Sequence, residues 1–590
     1  MKQSIAITGS GIICAIGTDK ESVYSSLIAG KSGIEQLKYL DSIHKELPVG
    51  EVKLSDTELK RVLGIDVEKV ISRTALLGVY ALRQAIDDAK LLPLQMDDRR
   101  VRFISGTTVG GMDVTERMYH SMLTDDDSLR YLDEHDCGEN SRVIAKLAGL
   151  CSGPHEVTTV STACSSSLNA IMTGVRMLLA DEADIVIAGG TEALSLFHLN
   201  GFNSLMILDR EQCRPFDRNR GGLNLGEGAA YVVLERTPDA RSRNAEIAAY
   251  IAGYGNRCDA YHQTASSENG EGAYLAMSDA LTMAGIEGGK VDYINAHGTG
   301  TPNNDSSESA ALKRMFNGVI PPVSSTKSFT GHTTSASGAI ETVISLISMK
   351  NSFIPANIGW KDSDEKCIIP SIGAENCTLD CILCNSFGFG GNDSSLILSR
   401  HETFLPRPCC SVKTEIAAEY ELSGEEDLKQ LGRFISPVEL RRMDILTKAT
   451  LYTSLKALSM AGISRPDAII VATAEGMLNN SGKILQRMDI AGEEGISPTL
   501  FMQSTHNTLA GALAIRLKCH GYNITYTQGD ESFEWAVRDA RRLIAEGKAE
   551  SVLVGWHNEC TEQYASFAER RGKERKPRIV SKSVVVKKDI

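Results

Sequence analysis

One pattern recurs three times along the chain and restricts its fold more than any other feature: an amphipathic helix, a short link, an apolar strand and a Gly/Thr-rich turn. "RTALLGVYALRQAI" leads to "VRFISGTTVGG", "AYLAMSDALTMAGI" to "VDYINAHGTGT", and "ATLYTSLKALSMAGI" to "DAIIVATAEGM". The last two copies share "ALTMAGI" at 280–286 and "ALSMAGI" at 457–463. Helices alternating with fully apolar strands imply parallel sheets covered on both faces, the α/β class. At 590 residues the chain is too long for a single core. A constant spacing also ties its last quarter to its first third. It carries "ADIVIAGGTE", ending at Glu192, to "ESVLVGWHNE", ending at Glu559, pairs Asn140 with Asn507, and without gaps pairs Cys164 with Glu531. The third copy is therefore expected to hold a carboxylate where the first holds a thiol.

Composition narrows the function classes. A hydrophobic content of 42% with 23% charged residues is that of a soluble globular protein. The net charge of -13 excludes general affinity for nucleic acid or anionic membrane surfaces. The fourteen cysteines lack the spacing of a secreted disulfide scaffold, which suggests reduced thiols and a cytoplasmic location. "CTLDCILC" sits in an apolar, strand-like run with no paired histidines, so no metal site is expected. The N-terminus reads as a strand and glycine turn rather than a signal peptide, and no apolar run reaches the roughly 18 residues of a membrane span.

Four segments far apart in sequence concentrate catalytic residue types among turn glycines: "TACSSS" at 162–167, "NAHGTGTPNND" at 295–305, "STKSFTGHTTSASGAIE" at 325–341 and "CNSFGFGGND" at 384–393. The first two end apolar strands, and open α/β sheets assemble their sites at the carboxyl ends of strands. A cysteine, two histidines and a lysine arriving there make a candidate nucleophile and proton-handling cluster.

These segments, together with "CRPFDRNRGGLNLGEGAA" at 213–230, resemble the elongating β-ketoacyl-acyl carrier protein synthases and polyketide ketosynthases from residue 3 to about 400. The resemblance implies a thiolase-like fold, two similar halves forming a five-layered αβαβα sandwich, here with an additional C-terminal thiolase-like half-domain. It implies Cys164 as acyl-accepting nucleophile, His297 and His332 as the paired histidines, and Lys327 and Glu341 as their support. Phe389 matches the gating phenylalanine, with Gly390 beside it. Thr299 and Thr301 fall where the family grips the pantetheine arm, and Val109 matches a position lining the acyl pocket. Asn392 and Asp393 stand where the family usually has Thr and Asn, and Gly221 where an Asp is common. The units expected are 1–250 with the nucleophile, 251–402 with the His, Lys and GFGG segments, a linker at 403–430, a degenerate half-domain at 431–562 and a basic tail at 563–590.

The residues after Cys164 have apolar positions at helical spacing, which places the thiol beside a helix N-terminus and leads to an expected lowering of its pKa. The implied reaction is a decarboxylative Claisen condensation: an acyl group rests on Cys164 as a thioester, malonyl on the acyl carrier protein loses carbon dioxide, and N–H groups of His297 and His332 receive the enolate oxygen. Backbone N–H groups of Cys164 and Phe389 are expected to serve the acyl step. No cofactor is required, because substrates arrive on the carrier's phosphopantetheine arm, and "GSGIIC" lacks the third glycine of a dinucleotide turn. The partners implied are the carrier protein and a second synthase-like chain in a homodimer or heterodimer, with no nucleic acid. From another class, the alternative is a noncatalytic chain-length or scaffolding subunit, and the third segment resembles such a chain-length factor. The last 21 residues carry nine Lys/Arg against two Asp/Glu and are expected to form a solvated tail suited to an acidic carrier.

Overall fold

A computed structural model of the chain describes residues 2–91, 99–129, 131, 137–150, 157–409 and 411–589. Its main strands, in chain order, are β1 (Ile5–Cys14), β2 (Val101–Gly106), β3 (Val157–Val160), β4 (Ile185–Glu192), β5 (Gly228–Arg236), β6 (Ala249–Cys258), β7 (Tyr293–Asn295), β8 (Val323–Ser324), β9 (Cys381–Gly388), β10 (Asn392–Ser399), β11 (Thr414–Glu421), β12 (Ala468–Ala472), β13 (Tyr522–Tyr526), β14 (Ser551–Cys560) and β15 (Arg578–Lys588). The helices that matter for the site are α1 (Arg73–Asp88), α2 (Met112–Thr124), α3 (Ser166–Leu179), α4 (Glu271–Ala284), α5 (Ser337–Asn351), α6 (Ile445–Met460), α7 (Thr508–Leu517) and α8 (Ser532–Ala545). The strands join in the order β11-β15-β14-β12-β13-β3-β2-β4-β5-β1-β6-β10-β9-β7-β8.

All three sequence repeats fold as helix then strand: α1 precedes β2, α4 precedes β7 and α6 precedes β12. The halves of the first 400 residues are bridged where Ala6 and Ile7 pair with Tyr250 and Ala249. Helices α3 and α5 are buried along almost their whole length and touch strands on both sides, forming the middle layer of a five-layered thiolase-like sandwich. Such helices bury every face, so the polar positions of α3 find partners inside the fold: Asn256 for Asn169 and Asp539 for Arg176.

The third unit continues the sheet. Strand β13 pairs antiparallel with β3 at Tyr526 and Val160, and Ser161 N–H donates to the Thr525 carbonyl at 2.9 Å. These are equivalent strands of two similar units, so the join has the self-complementary form of a twofold interface within one chain. It is reinforced by buried charge: Arg176 of α3 meets Asp539 at 2.7 Å and Glu546 at 2.8 Å.

Three expectations are corrected. The basic C-terminal run is not a solvated tail, because Arg578–Lys588 is strand β15 between β14 and β11, with Val584, Val585 and Val586 fully buried. Its charges are matched across the strand pair by Lys582–Glu419 and Lys587–Glu415. The stretch expected as linker contributes edge strand β11, so the third unit reaches beyond 431–562 on both sides. Finally, the repeat register slides by one residue. Val160 lies opposite Gly106 as Tyr526 lies opposite Ala472, and the bond from Thr162 N–H to Ser166 Oγ is repeated from Gln528 to Ser532. Asp530, not Glu531, therefore takes the place of Cys164; Asn558 takes that of Glu192, since Thr473 bonds Asn558 as Thr107 bonds Glu192.

Candidate active site

The four segments singled out in the sequence meet at the carboxyl ends of β3, β7, β8 and β9. Cys164 sits in the tight turn between β3 and α3, following Ala163 at φ +52°, and is 5% exposed. Its Sγ lies 3.0 Å from His332 Nε2, and the donor atoms of Cys164, His297 and His332 all fall within 4.8 Å of one another. The two imidazoles meet edge to face with centroids 5.3 Å apart.

Hydrogen bonds set the state of each ring. Lys327 Nζ stands 3.3 Å from His297 Nδ1. An ammonium can only donate, so Nδ1 accepts and the remaining proton of His297 is on Nε2. Burial and the Lys327 charge hold His297 well below the usual histidine range, and the same two causes act on His332. Lys327 is itself paired with Glu341 on α5; burial pushes that carboxyl up to about 7 while Lys327 pulls it back. His332 Nδ1 faces Ser337 Oγ at 3.1 Å, and a hydroxyl can serve as donor or acceptor there.

The thiol departs from the expectation of a lowered pKa. Burial pushes Cys164 up to about 11, although Lys327 and the backbone N–H groups of Phe389 and of Cys164 itself favour the thiolate. Desolvation of a fully enclosed sulfur outweighs the helix terminus, so the resting group is the neutral thiol. Those two N–H groups converge on the sulfur from opposite segments. The fit is close enough that a Cβ on Gly388 would come within 2.6 Å of the Thr162 carbonyl.

Of the remaining expected residues, Thr299, Thr301, Phe389 and Gly390 lie in the loops that follow β7 and β9, whereas Val109 lines a cavity whose walls include none of the three clustered residues. Thr299 and Thr301 bond each other at 2.9 Å in the loop leaving His297, with Thr301 partly exposed. Phe389 stacks on Phe202 with centroids 5.8 Å apart, and Gly390 at φ +86° makes the turn behind it. Val109 lines an apolar cavity of about 160 Å³ with Met112 and Tyr119 of α2 and with Leu478, His506 and Phe567 of the third unit. Sequence reading passed over Glu308, which accepts from the N–H groups of His297 and Gly298 at 2.9 and 2.7 Å, and Ser386, which donates to the Cys164 carbonyl at 2.9 Å. Glu308 lies eleven residues past His297 on a helix, a spacing with no motif to flag it. A soft cation would find three donors here, yet Lys327 places a positive charge beside them, and the arrangement suits an oxyanion better.

A buried thiol beside two neutral imidazoles, with backbone donors facing it and a thiolase-like frame beneath, is the arrangement expected of the ketosynthase class. The comparisons with known proteins agree. Residues 2–240 match the β-ketoacyl synthase N-terminal domain, 248–361 the C-terminal domain, and 417–586 an N-terminal domain a second time. The chain is 34% identical over 417 residues to the 3-oxoacyl-[acyl-carrier-protein] synthase 2 of Coxiella burnetii, covering 99% of that protein and 68% of this one. The chain belongs to the β-ketoacyl synthase family, whose members are acyltransferases. Among solved structures, the ishigamide ketosynthase/chain length factor is 31% identical over 68% of this chain and 100% of that one, with a TM-score of 0.61. The PfaC keto synthase–chain length factor shares the fold over 99% of this chain and 78% of that one, with a TM-score of 0.80 at 17% identity.

Proposed function

We propose that this protein is a β-ketoacyl-[acyl carrier protein] synthase of fatty acid or polyketide biosynthesis, in which the third unit is a noncatalytic partner fused to the active one. The observation that carries the reading is the 3.0 Å approach of Cys164 Sγ to His332 Nε2 with His297 alongside. In the first half-reaction His332 Nε2 takes the thiol proton while Nδ1–H donates to Ser337. The sulfur attacks the acyl thioester on the carrier, and the oxyanion is received by the N–H groups of Cys164 and Phe389. The pantetheine sulfur leaves with the proton from His332.

Before the second half-reaction His332 changes tautomer, giving up its Nδ1 proton to solvent and taking one on Nε2, and the Ser337 hydroxyl turns to donate to the bare Nδ1, so that both histidines present Nε2–H; the reverse exchange resets the site after turnover. Malonyl on the carrier loses carbon dioxide, the enolate oxygen rests on those two donors, and its carbon attacks the acyl thioester. The Cys164 thiolate leaves and takes up one proton from solvent, and the β-ketoacyl carrier departs. Thr299 and Thr301 bind the pantetheine arm, Phe389 closes over the thioester, and Val109 borders the acyl chain. No cofactor enters these steps.

The third unit has Asp530, exposed, at the nucleophile position. Because it occupies the β3 edge, the chain supplies its own synthase-like partner there and needs no second copy at that edge. Acyl-carrier and malonyl-carrier protein mixed with the chain should give a carrier-bound β-ketoacyl product by mass spectrometry, abolished by Cys164→Ala; no product with the wild-type chain would favour a purely scaffolding role.

A further inference from the structure

The hairpin turn Phe389–Gly391, between β9 and β10, carries the backbone N–H that faces Cys164 Sγ, and it is held by a residue of the third unit. Asn507, at the start of α7 and 1% exposed, donates Nδ2–H to the Phe389 carbonyl and to Asn392 Oδ1, both at 2.8 Å. The two acceptors fix which way the Asn507 amide faces, since the opposite orientation would set oxygen against oxygen. The same Phe389–Gly390 peptide is tied at its other end, where Gly390 N–H donates to the Gln263 carbonyl at 2.7 Å. With both ends of that peptide plane bound, the torsions of Phe389 have little freedom, and the direction of its N–H follows.

Asn392 in turn donates Nδ2–H to Asn523 of β13, at 3.1 Å to the carbonyl and 3.0 Å to Oδ1. Asn523 N–H donates to Asn256 Oδ1 at 2.9 Å, and Asn256 Nδ2–H donates to Asn169 on the nucleophile's own helix at 2.8 Å. These five asparagines are buried and carry no charge, so pH does not loosen them. Backbone contact seals the arrangement: a Cβ at Gly511 of α7 would lie 3.1 Å from Gly390 Cα. Asn392, which replaces the family's usual Thr, has the donor and the acceptor that reach the third unit; a threonine hydroxyl is too short to serve both Asn507 and Asn523.

We propose that Asn507 is a positioning residue for the acyl-transfer step: the fused third unit aims the Phe389 N–H at the thioester oxyanion through this amide. The inference rests on the synthase reading above, and the experiment separates the two. On the full-length chain, single-turnover acylation of Cys164 by an acyl-carrier thioester develops an oxyanion, whereas alkylation of the same thiol by iodoacetamide does not. Asn507→Asp keeps the volume and sets an oxygen against the Phe389 carbonyl. Acylation should slow at least tenfold, set against the roughly 10²–10³-fold cost of deleting an oxyanion donor outright, while alkylation stays within twofold. Asn392→Thr, cutting the link from the other side, should show the same split if the first variant folds poorly. Equal losses in both reactions, or no loss in acylation, would overturn the proposal. A wild-type chain that alkylates but never acylates would instead overturn the synthase reading.

Discussion

The join between the first and third units depends on charges that water cannot reach, and removing one should be costly. Asp539 is fully buried and accepts from Arg176 Nη1 at 2.7 Å, Arg542 Nη1 at 3.0 Å and the Tyr522 hydroxyl at 2.9 Å. In Asp539→Leu both guanidiniums lose a shared counter-ion; Arg176 keeps Glu546 and Arg542 keeps Glu182. Leaving three buried donors without their acceptor, two of them on guanidiniums, costs about 3–5 kcal/mol, since each orphaned buried donor costs about 1–3 kcal/mol. If the matched span 417–586 unfolds as one unit, about 2–4 °C per kcal/mol gives a drop of roughly 6–20 °C in its thermal transition. Differential scanning calorimetry at one fixed scan rate reads this directly. Arg176→Met combined with Asp539→Leu should be less destabilised than the two single variants added together, by about 1–3 kcal/mol. A shift under about 2 °C for Asp539→Leu, or strict additivity of the pair, would refute the argument.

Other outcomes follow from the site. With the Cys164 thiol pushed up to about 11, only about one molecule in a thousand is thiolate at pH 8, so the iodoacetamide rate should climb about tenfold per pH unit without a plateau below about pH 10. A plateau between pH 6 and 8 would restore the low-pKa thiolate. His297→Ala should slow condensation about 10²–10³-fold and leave acyl loading within a few-fold, measured by product formation against acyl-enzyme formation, because its Nε2–H serves the enolate alone. Equal slowing of both steps would contradict that role. Deleting residues 412–590 should bare the β3 edge and strand Arg176, giving an aggregated or self-paired protein in light scattering, and a monodisperse active monomer would contradict the structural role of the third unit.

Much of this was legible in the sequence for a physical reason. Short strands buried on both faces are built from β-branched and apolar residues with few charges, and the site loops follow them directly, so "VDYINAHG" and "VTTVSTAC" announced both strand and site. What stayed hidden depended on partners remote in sequence. Enclosure of the Cys164 sulfur by the fold reversed the expected pKa direction, an effect the adjoining helix alone cannot reveal. The valines of β15 were masked by flanking lysines whose charges are matched on β11. The one-residue slip from Glu531 to Asp530 emerged only from strand register, since gap-free matching cannot place a turn.

If Cys164 receives an acyl group and surrenders it to a decarboxylated malonyl unit within a pocket one chain completes, both events must register as mass changes on the intact protein. Intact-protein mass spectrometry reads them most directly. The chain should gain one acyl mass on Cys164 with acyl-carrier protein and lose it when malonyl-carrier protein is added. An acyl mass that never forms, or one that malonyl-carrier protein cannot discharge, would contradict the account.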